Sequence, residues 1–419
     1  MQTKLADFIK DSPQGQEADA ILRSCVHCGF CLATCPTYQI LGDELDSPRG
    51  RIYLMKQMLE GQPVTHKTQL HLDRCLTCRA CETTCPSGVR YGALVDIGRG
   101  LIEQQIARDS SSGVMRYVLR KVLPNRTLFN FLFRSGQMIR PLLPQSLKSK
   151  MPVAVSRAQT WPAPRHTRKM LVLEGCVQPT LAPNINAATA RVLDKLGISL
   201  IRAEKAGCCG AVTFHLNAQQ EGLDYMRRNI DAWWPFIARR EIDAIVMTAS
   251  GCGVTVKEYG HMLQHDAAYA EKAAAVSSFT KDISEVLDNH LDHLKQIIKD
   301  GNAPSRSVSA FHSPCTLQHG MKVRGVVERI LGVVGVERTP VPDAHLCCGS
   351  AGTYSILQPE ISKQLLKNKV AALESGNPEQ IMTANIGCLL HLKSGTKLPV
   401  KHWIEFLDER LSDCHGMQS

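Results

Sequence analysis

Three observations predict a multidomain protein with a mostly α-helical, cysteine-rich first part followed by two copies of an α/β module. The run CVHCGFCLATCP, from Cys25 to Pro36, recurs in spacing as CLTCRACETTCP, from Cys75 to Pro86. Behind it, KMLVLEGC, EKAGCCGA and IVMTASGC are answered by SVSAFHSPC, DAHLCCGSAG and IMTANIGC. The offsets 315−176, 347−208 and 348−209 are all 139, and 388−252 is 136, which marks an internal duplication. Finally, 419 residues with 44% hydrophobic content exceed one ordinary domain and can fill real cores.

Residues 1–109 hold the two four-cysteine blocks. QEADAILRS and PRGRIYLMKQMLEG read as short helices, the second opened by Ser47 as N-cap and Pro48 at the first position. A third helix is expected over YGALVDIGRGLIEQQIA. The pattern C-x2-C-x2-C-x3-C-P wraps three thiolates around one corner of an iron–sulfur cube and sends the fourth to the opposite block's cluster. It assigns one [4Fe–4S] cluster to Cys25, Cys28, Cys31 and Cys85, and a second to Cys75, Cys78, Cys81 and Cys35. Zinc is the alternative, but structural zinc takes separated cysteine pairs, and the third thiol would be surplus. Two clusters in one small part make a two-cluster ferredoxin domain, an electron relay. His27 is expected to be solvated or backbone-bonded in its loop. Arg49 and Arg51 either shield a cluster or pair with Asp43, Glu44 or Asp46.

Residues 110–168 form a basic amphipathic linker. Between Ser110 and Leu173 there are twelve Lys or Arg and no Asp or Glu, so the rest of the chain carries −2 of the +10 total. Two short helices separated by Pro124 are expected. Leu119, Leu123, Phe129, Phe131, Leu132 and Phe133 interleave with Arg116, Arg120, Lys121, Arg126 and Arg134, which suits an interfacial helix on anionic lipid. A linker packed on the modules or on a partner is the other reading. Nucleic acid is not expected, because no recognition motif accompanies the charge.

Residues 169–303 and 304–419 are the two modules, joined near DGNAPSRS. Short apolar strands alternate with helix-spaced segments such as INAATARVLDKLG, which predicts a largely parallel sheet. Cys176 and Cys315 are expected to close the first strand of each module, and Cys252 and Cys388 a later one. The pairs Cys208–Cys209 and Cys347–Cys348 are expected at helix starts, where free N–H groups lower thiol pKa. Loops at the carboxyl ends of parallel strands converge, so each module gathers four thiols as a candidate metal site. Buried, inert packing cysteines are the alternative reading. Cys414 stands alone in a polar tail.

The repeated Cys…Cys-Cys-Gly…Cys text resembles the cysteine-rich CCG domain of heterodisulfide reductase and related dehydrogenase subunits. With a two-cluster ferredoxin domain in front, the whole chain is similar to the iron–sulfur subunits of glycolate oxidases. CVHCGFC, GDELDSPRGRIYL, RCLTCRACETTCPSGVRY, NAATARVLD, AGCCGA and HLCCGSAGTY carry that likeness. The resemblance implies an electron-transfer subunit of an oxidoreductase complex. Flavin-containing partner subunits would oxidise glycolate to glyoxylate, or D-lactate to pyruvate, and electrons would pass to a quinone or other membrane acceptor. It also implies further iron–sulfur clusters in the CCG modules. The CCG pattern closes each module with C-x-x-C, whereas this chain has Thr255 and His391 at the last positions. That departure argues against the alternative of a thiol–disulfide reductase working at a CCG cluster. The iron–sulfur subunit of a lactate or glycerol-3-phosphate dehydrogenase is a further alternative.

No G-x-G-x-x-G after a strand and no P-loop occurs, so flavin is expected only in partner subunits and no catalytic residue is assigned. No run of eighteen apolar residues and no apolar signal region is present. The expected location is the cytoplasmic side of the inner membrane, as a peripheral protein. Seventeen cysteines in a reducing compartment are then metal ligands and buried thiols rather than disulfides.

Overall fold

The computed structural model describes residues 1–140, 158–300 and 307–413. The middle of the basic segment, the join between the modules and Cys414 lie outside the described residues.

The first part is helical, with no strand among its described residues. Its elements are α1 (Pro13–Ser24), α2 (Pro36–Leu41), α3 (Pro48–Leu59), α4 (His66–Asp73), α5 (Ala80–Thr84) and α6 (Tyr91–Gln105). Proline opens α1, α2 and α3, where its missing N–H costs nothing. Ser47 caps α3 as expected, its Oγ accepting from the Gly50 N–H at 2.9 Å. Leu22, Met55, Leu72 and Leu94 are fully buried between these helices. Gly98 lets α6 lie close on α3, since a Cβ there would stand 2.6 Å from Met55 Sδ.

Two further helices follow, α7 (Ser110–Val122) and α8 (Arg126–Ile139), broken at Pro124 as the sequence predicts. Asp109 caps α7 and Asn125 caps α8. Among the described residues, no helix is long and apolar enough to cross a membrane.

The repeated text folds into two four-stranded parallel sheets of matching order, β2-β1-β3-β4 and β6-β5-β7-β8. The first uses β1 (Arg168–Val172), β2 (Ile198–Arg202), β3 (Ile245–Met247) and β4 (Thr280–Asp282). The second uses β5 (Ser307–His312), β6 (Val336–Arg338), β7 (Gln380–Thr383) and β8 (Val400–His402). In each sheet the chain steps one way from the first strand and then returns to its other side. The crevice of a doubly wound sheet therefore opens at the carboxyl ends of β1 and β3, and again at β5 and β7.

The two sheets share one apolar core that runs from Ile185 and Leu193 to Trp403 and Leu407. Arg191 pairs with Asp408 at 2.6 Å across the same boundary. His402 donates from Nε2 to the Thr248 carbonyl at 3.0 Å and accepts the Ile404 N–H on Nδ1 at 3.3 Å. The helical first part packs on both halves. Arg79 pairs with Glu258, and His261 with Glu17 at 2.7 Å. On the other half, Thr83 meets His319 at 3.0 Å and Tyr354 Oη donates to the Arg74 carbonyl at 2.9 Å.

Candidate metal centres

Each C-x2-C-x2-C loop bends by the same device. His27 and Gly29 in the first block, and Thr77 and Arg79 in the second, have φ of 56°, 82°, 54° and 61°. Left-handed residues two after the first cysteine and one after the second curl the loop around its thiols. In the second block the Thr77 N–H donates to Cys75 Sγ at 3.4 Å. Where the first block uses glycine the second uses Arg79, which reaches Glu258 from that strained position. His27 is half-buried rather than solvated, and its Nε2 has no hydrogen-bond partner among the described residues.

The eight thiols line two cavities. One is bounded by Cys25, Cys28, Cys31 and Cys85, the other by Cys35, Cys75 and Cys78, and Cys81 lies on the wall between them. Each block therefore lends its last cysteine to the other block's cavity. Tyr91 also borders both, its Oη donating to Cys75 Sγ at 3.6 Å. Burial and the neighbouring thiols push Cys31 up to about 11. Burial likewise holds Cys78 and Cys81 well above the ordinary thiol range. Crowded thiols that resist ionisation in the bare chain become thiolates around a cation, which suits them to a multi-iron group.

The arginines pair with carboxylates, as the second reading has it, and also stand beside the cavities. Arg49 pairs with Glu44 at 2.8 Å and borders the first cavity. Arg51, 1% exposed, pairs with the fully buried Asp46 at 3.1 Å and borders the second. Its Nε also donates to the His71 carbonyl at 2.7 Å.

In the modules the structure brings each expected quartet together. Cys176, Cys208, Cys209 and Cys252 lie close enough in succession for each to perturb the ionisation of the next. Cys315, Cys347, Cys348 and Cys388 do the same, and Cys315 Sγ donates to Cys347 Sγ at 3.8 Å. Three details differ from expectation. Cys252 and Cys388 do not close strands but lie in the first turns of the helices Ser250–Lys257 and Ile386–Lys393 that follow β3 and β7. Cys208–Cys209 precede a helix capped by Gly210, whereas after Cys347–Cys348 the next helix starts only at Tyr354. The paired thiols, with Cys176 and Cys315, are also raised, not lowered. The hydrogen bond to Cys208 and burial lift Cys176, and the bond to Cys347 and burial lift Cys315. Backbone N–H groups pull the other way, as on Cys347 from Gly349 at 3.4 Å, but crowding of four buried thiols outweighs them.

The second ferredoxin-type set and the second module are in contact. Leu76, Cys315, Cys347 and Tyr354 form one buried cluster, with Cys78 and Ile40 packed against it. Burial is the larger cause that disfavours ionisation of Cys78, and Cys315 is close enough to add to it.

Sequence reasoning missed His312 and Lys369. His312 ends β5, 2% exposed, and one of its ring nitrogens lies within 4.8 Å of the Cys348 and Cys388 sulfurs. Lys369, 3% exposed, donates to the Asp343 carbonyl at 2.8 Å near the same thiols. The repeat alignment held the signal for His312, since Leu173 stands opposite it at the offset of 139. A second grouping, Asp43, Asp46 and His71, is already neutralised by Arg51 and Arg74.

Comparison with known proteins agrees with this architecture. A 4Fe-4S dicluster domain matches residues 21–89, and a cysteine-rich domain matches twice, over 170–257 and 309–393. The chain is 55% identical over 411 residues to the glycolate oxidase iron–sulfur subunit of Escherichia coli (strain K12), covering 98% of this chain and 99% of that protein. It is 32% identical over 403 residues, 89% of each, to the probable glycolate oxidase iron–sulfur subunit of Bacillus subtilis (strain 168). It is also 27% identical over 241 residues to lactate utilization protein A of Bacillus licheniformis, 56% of this chain and 97% of that protein. With both cysteine-rich halves, the dicluster part and likeness over nearly its full length, the chain belongs to the family of glycolate oxidase iron–sulfur subunits.

Proposed function

We propose that this chain carries electrons from flavin-containing partner subunits, which oxidise glycolate to glyoxylate, towards a quinone at the membrane. D-lactate is the second substrate the partners would serve. The chain divides into a ferredoxin part (1–109), a basic linker (110–168) and two CCG modules (169–303 and 304–419). Cys25, Cys28, Cys31 and Cys85 hold one [4Fe–4S] cluster, and Cys75, Cys78, Cys81 and Cys35 the other. Cys176, Cys208, Cys209 and Cys252, and likewise Cys315, Cys347, Cys348 and Cys388, hold further iron. Such groups, when bound, accept and release one electron at a time.

The observation that carries this reading is the crossing of the two blocks over two cavities, with Cys78 packed on Cys315 and Cys347. The thiol sets are thus ordered. Cys28 is exposed at one end, flanked by Val26 and Phe30 at 66% and 61% exposure, and offers an apolar contact to a partner. The second set lies behind it, and the second module comes next.

The basic segment supplies the membrane contact on the cytoplasmic side of the inner membrane. No residue of α8 is buried, and Phe131, Leu132, Met138 and Ile139 are exposed there, as are Val114 and Tyr117 of α7. Arg116 is tied to Asp73, and Lys121 to Glu221, so the hairpin is held to the body while its apolar face stays open. A face of that kind in a segment with no acidic residue suits anionic lipid.

The test is glycolate-driven reduction of a soluble quinone analogue by the intact assembly. Cys28→Ser and Cys78→Ser should abolish it while glycolate still bleaches the partner flavin. Unchanged quinone reduction in both variants would contradict the relay.

A further inference from the structure

The two modules share a thiol quartet, but they are not equivalent. Where β1 runs into Leu173, a member of an apolar cluster, β5 ends on His312. His312 is 2% exposed, pairs with Thr383 in the β5–β7 ladder, and sits at the crevice where the quartet converges. Its Nε2 is buried with no hydrogen-bond partner among the described residues. One ring nitrogen, Cys348 Sγ and Cys388 Sγ all lie within 4.8 Å of one another.

A core histidine ordinarily satisfies both nitrogens, because an unpaired buried polar atom costs free energy comparable with that of a lost hydrogen bond. His402 in the same module does so, with Thr248 on one side and Ile404 on the other. His391, one turn beyond Cys388, is likewise engaged, its Nε2 meeting Ser362 Oγ at 3.2 Å. His312 alone of these three combines an unsatisfied nitrogen with a ring nitrogen that close to thiols.

We infer that His312 is a protein ligand to the metal centre of the second module, together with Cys315, Cys347, Cys348 and Cys388. The inference rests on the reading that this quartet holds iron. It makes the second module a mixed nitrogen–sulfur site and the first an all-thiolate one. A neutral imidazole adds no charge to the centre, whereas a thiolate at the same position would make it more negative and lower its reduction potential. The second module is also the one in contact with Cys78.

The test uses the full chain in its native assembly, purified anaerobically with histidine carrying either 14N or 15N. The centre is defined as the EPR signal and iron lost in Cys348→Ser. Pulsed EPR should find a histidine nitrogen coupling on that signal, and His312→Leu should remove it. His312→Cys, which puts a thiolate in place of the imidazole and guards against simple collapse, should keep the iron, lose the coupling and lower the midpoint potential. A Cys348-dependent signal without histidine coupling, or with coupling that survives in His312→Cys, would overturn the ligation. If no iron depends on Cys348, the reading beneath it fails too, and the two failures are told apart by that iron count.

Discussion

Arg51 and Asp46 show how one buried pair serves the ferredoxin part. Both are almost fully buried, and Asp46 is also reached by Arg74 at 2.8 Å and His71 at 3.1 Å. Arg51 spends its remaining donors on the His71 carbonyl and Thr37 Oγ1, which fixes the α4 end against the Cys35 turn. Removing one partner of such a pair leaves an uncompensated buried charge, at a typical loss of about 3–5 kcal/mol. Arg51→Ala should therefore lower the anaerobic thermal midpoint and release iron from the second cavity, whereas the exposed Lys10→Ala should do neither. A stable, fully iron-loaded Arg51→Ala protein would refute this account of the pair. The eight ferredoxin-type cysteines were legible because their spacing alone encodes the crossed loop. His312 showed in the sequence only as a departure from Leu173 at the repeat offset, and only the fold brings it to Cys348 and Cys388.

At the scale of elements, α3, α7 and α8 follow from local chemistry that the sequence displays: Ser47 and Pro48, Asp109, Asn125 and the break at Pro124. The strands were legible as apolar runs, and the repeat offsets anticipated two sheets of the same order. Strand ends were less so. Gly251 and Cys252 look like a strand's close, yet β3 spans only Ile245–Met247 and the next helix has already begun at Ser250. The α7–α8 hairpin gives a test of its own. Phe131→Asp with Met138→Asp should cut binding of the assembly to phosphatidylglycerol-containing vesicles at least tenfold, and added salt should weaken the wild type, since lipid attraction is screened. Equal binding by the double variant would place the face against another subunit instead.

Over the whole molecule, the order of the thiol sets is a consequence of docking that no local pattern displays. The helical part meets the first half through Arg79 and Glu258, and the second through Thr83 with His319 and Tyr354 with Arg74. The second docking surface presses Leu76 and Cys78 onto Cys315 and Cys347. Cys78 and Cys315 lie in different parts of the chain, so their contact could be read only from the folded protein. The shared core between the sheets holds the second module in that position through Trp403, Leu407 and the Arg191–Asp408 pair. The most direct measurement adds glycolate alone to the anaerobic native assembly and records EPR from this chain. The account predicts reduced-cluster signals that Cys28→Ser abolishes and that Cys78→Ser cuts back to those of the first set. Signals that appear with dithionite but not with glycolate would contradict it.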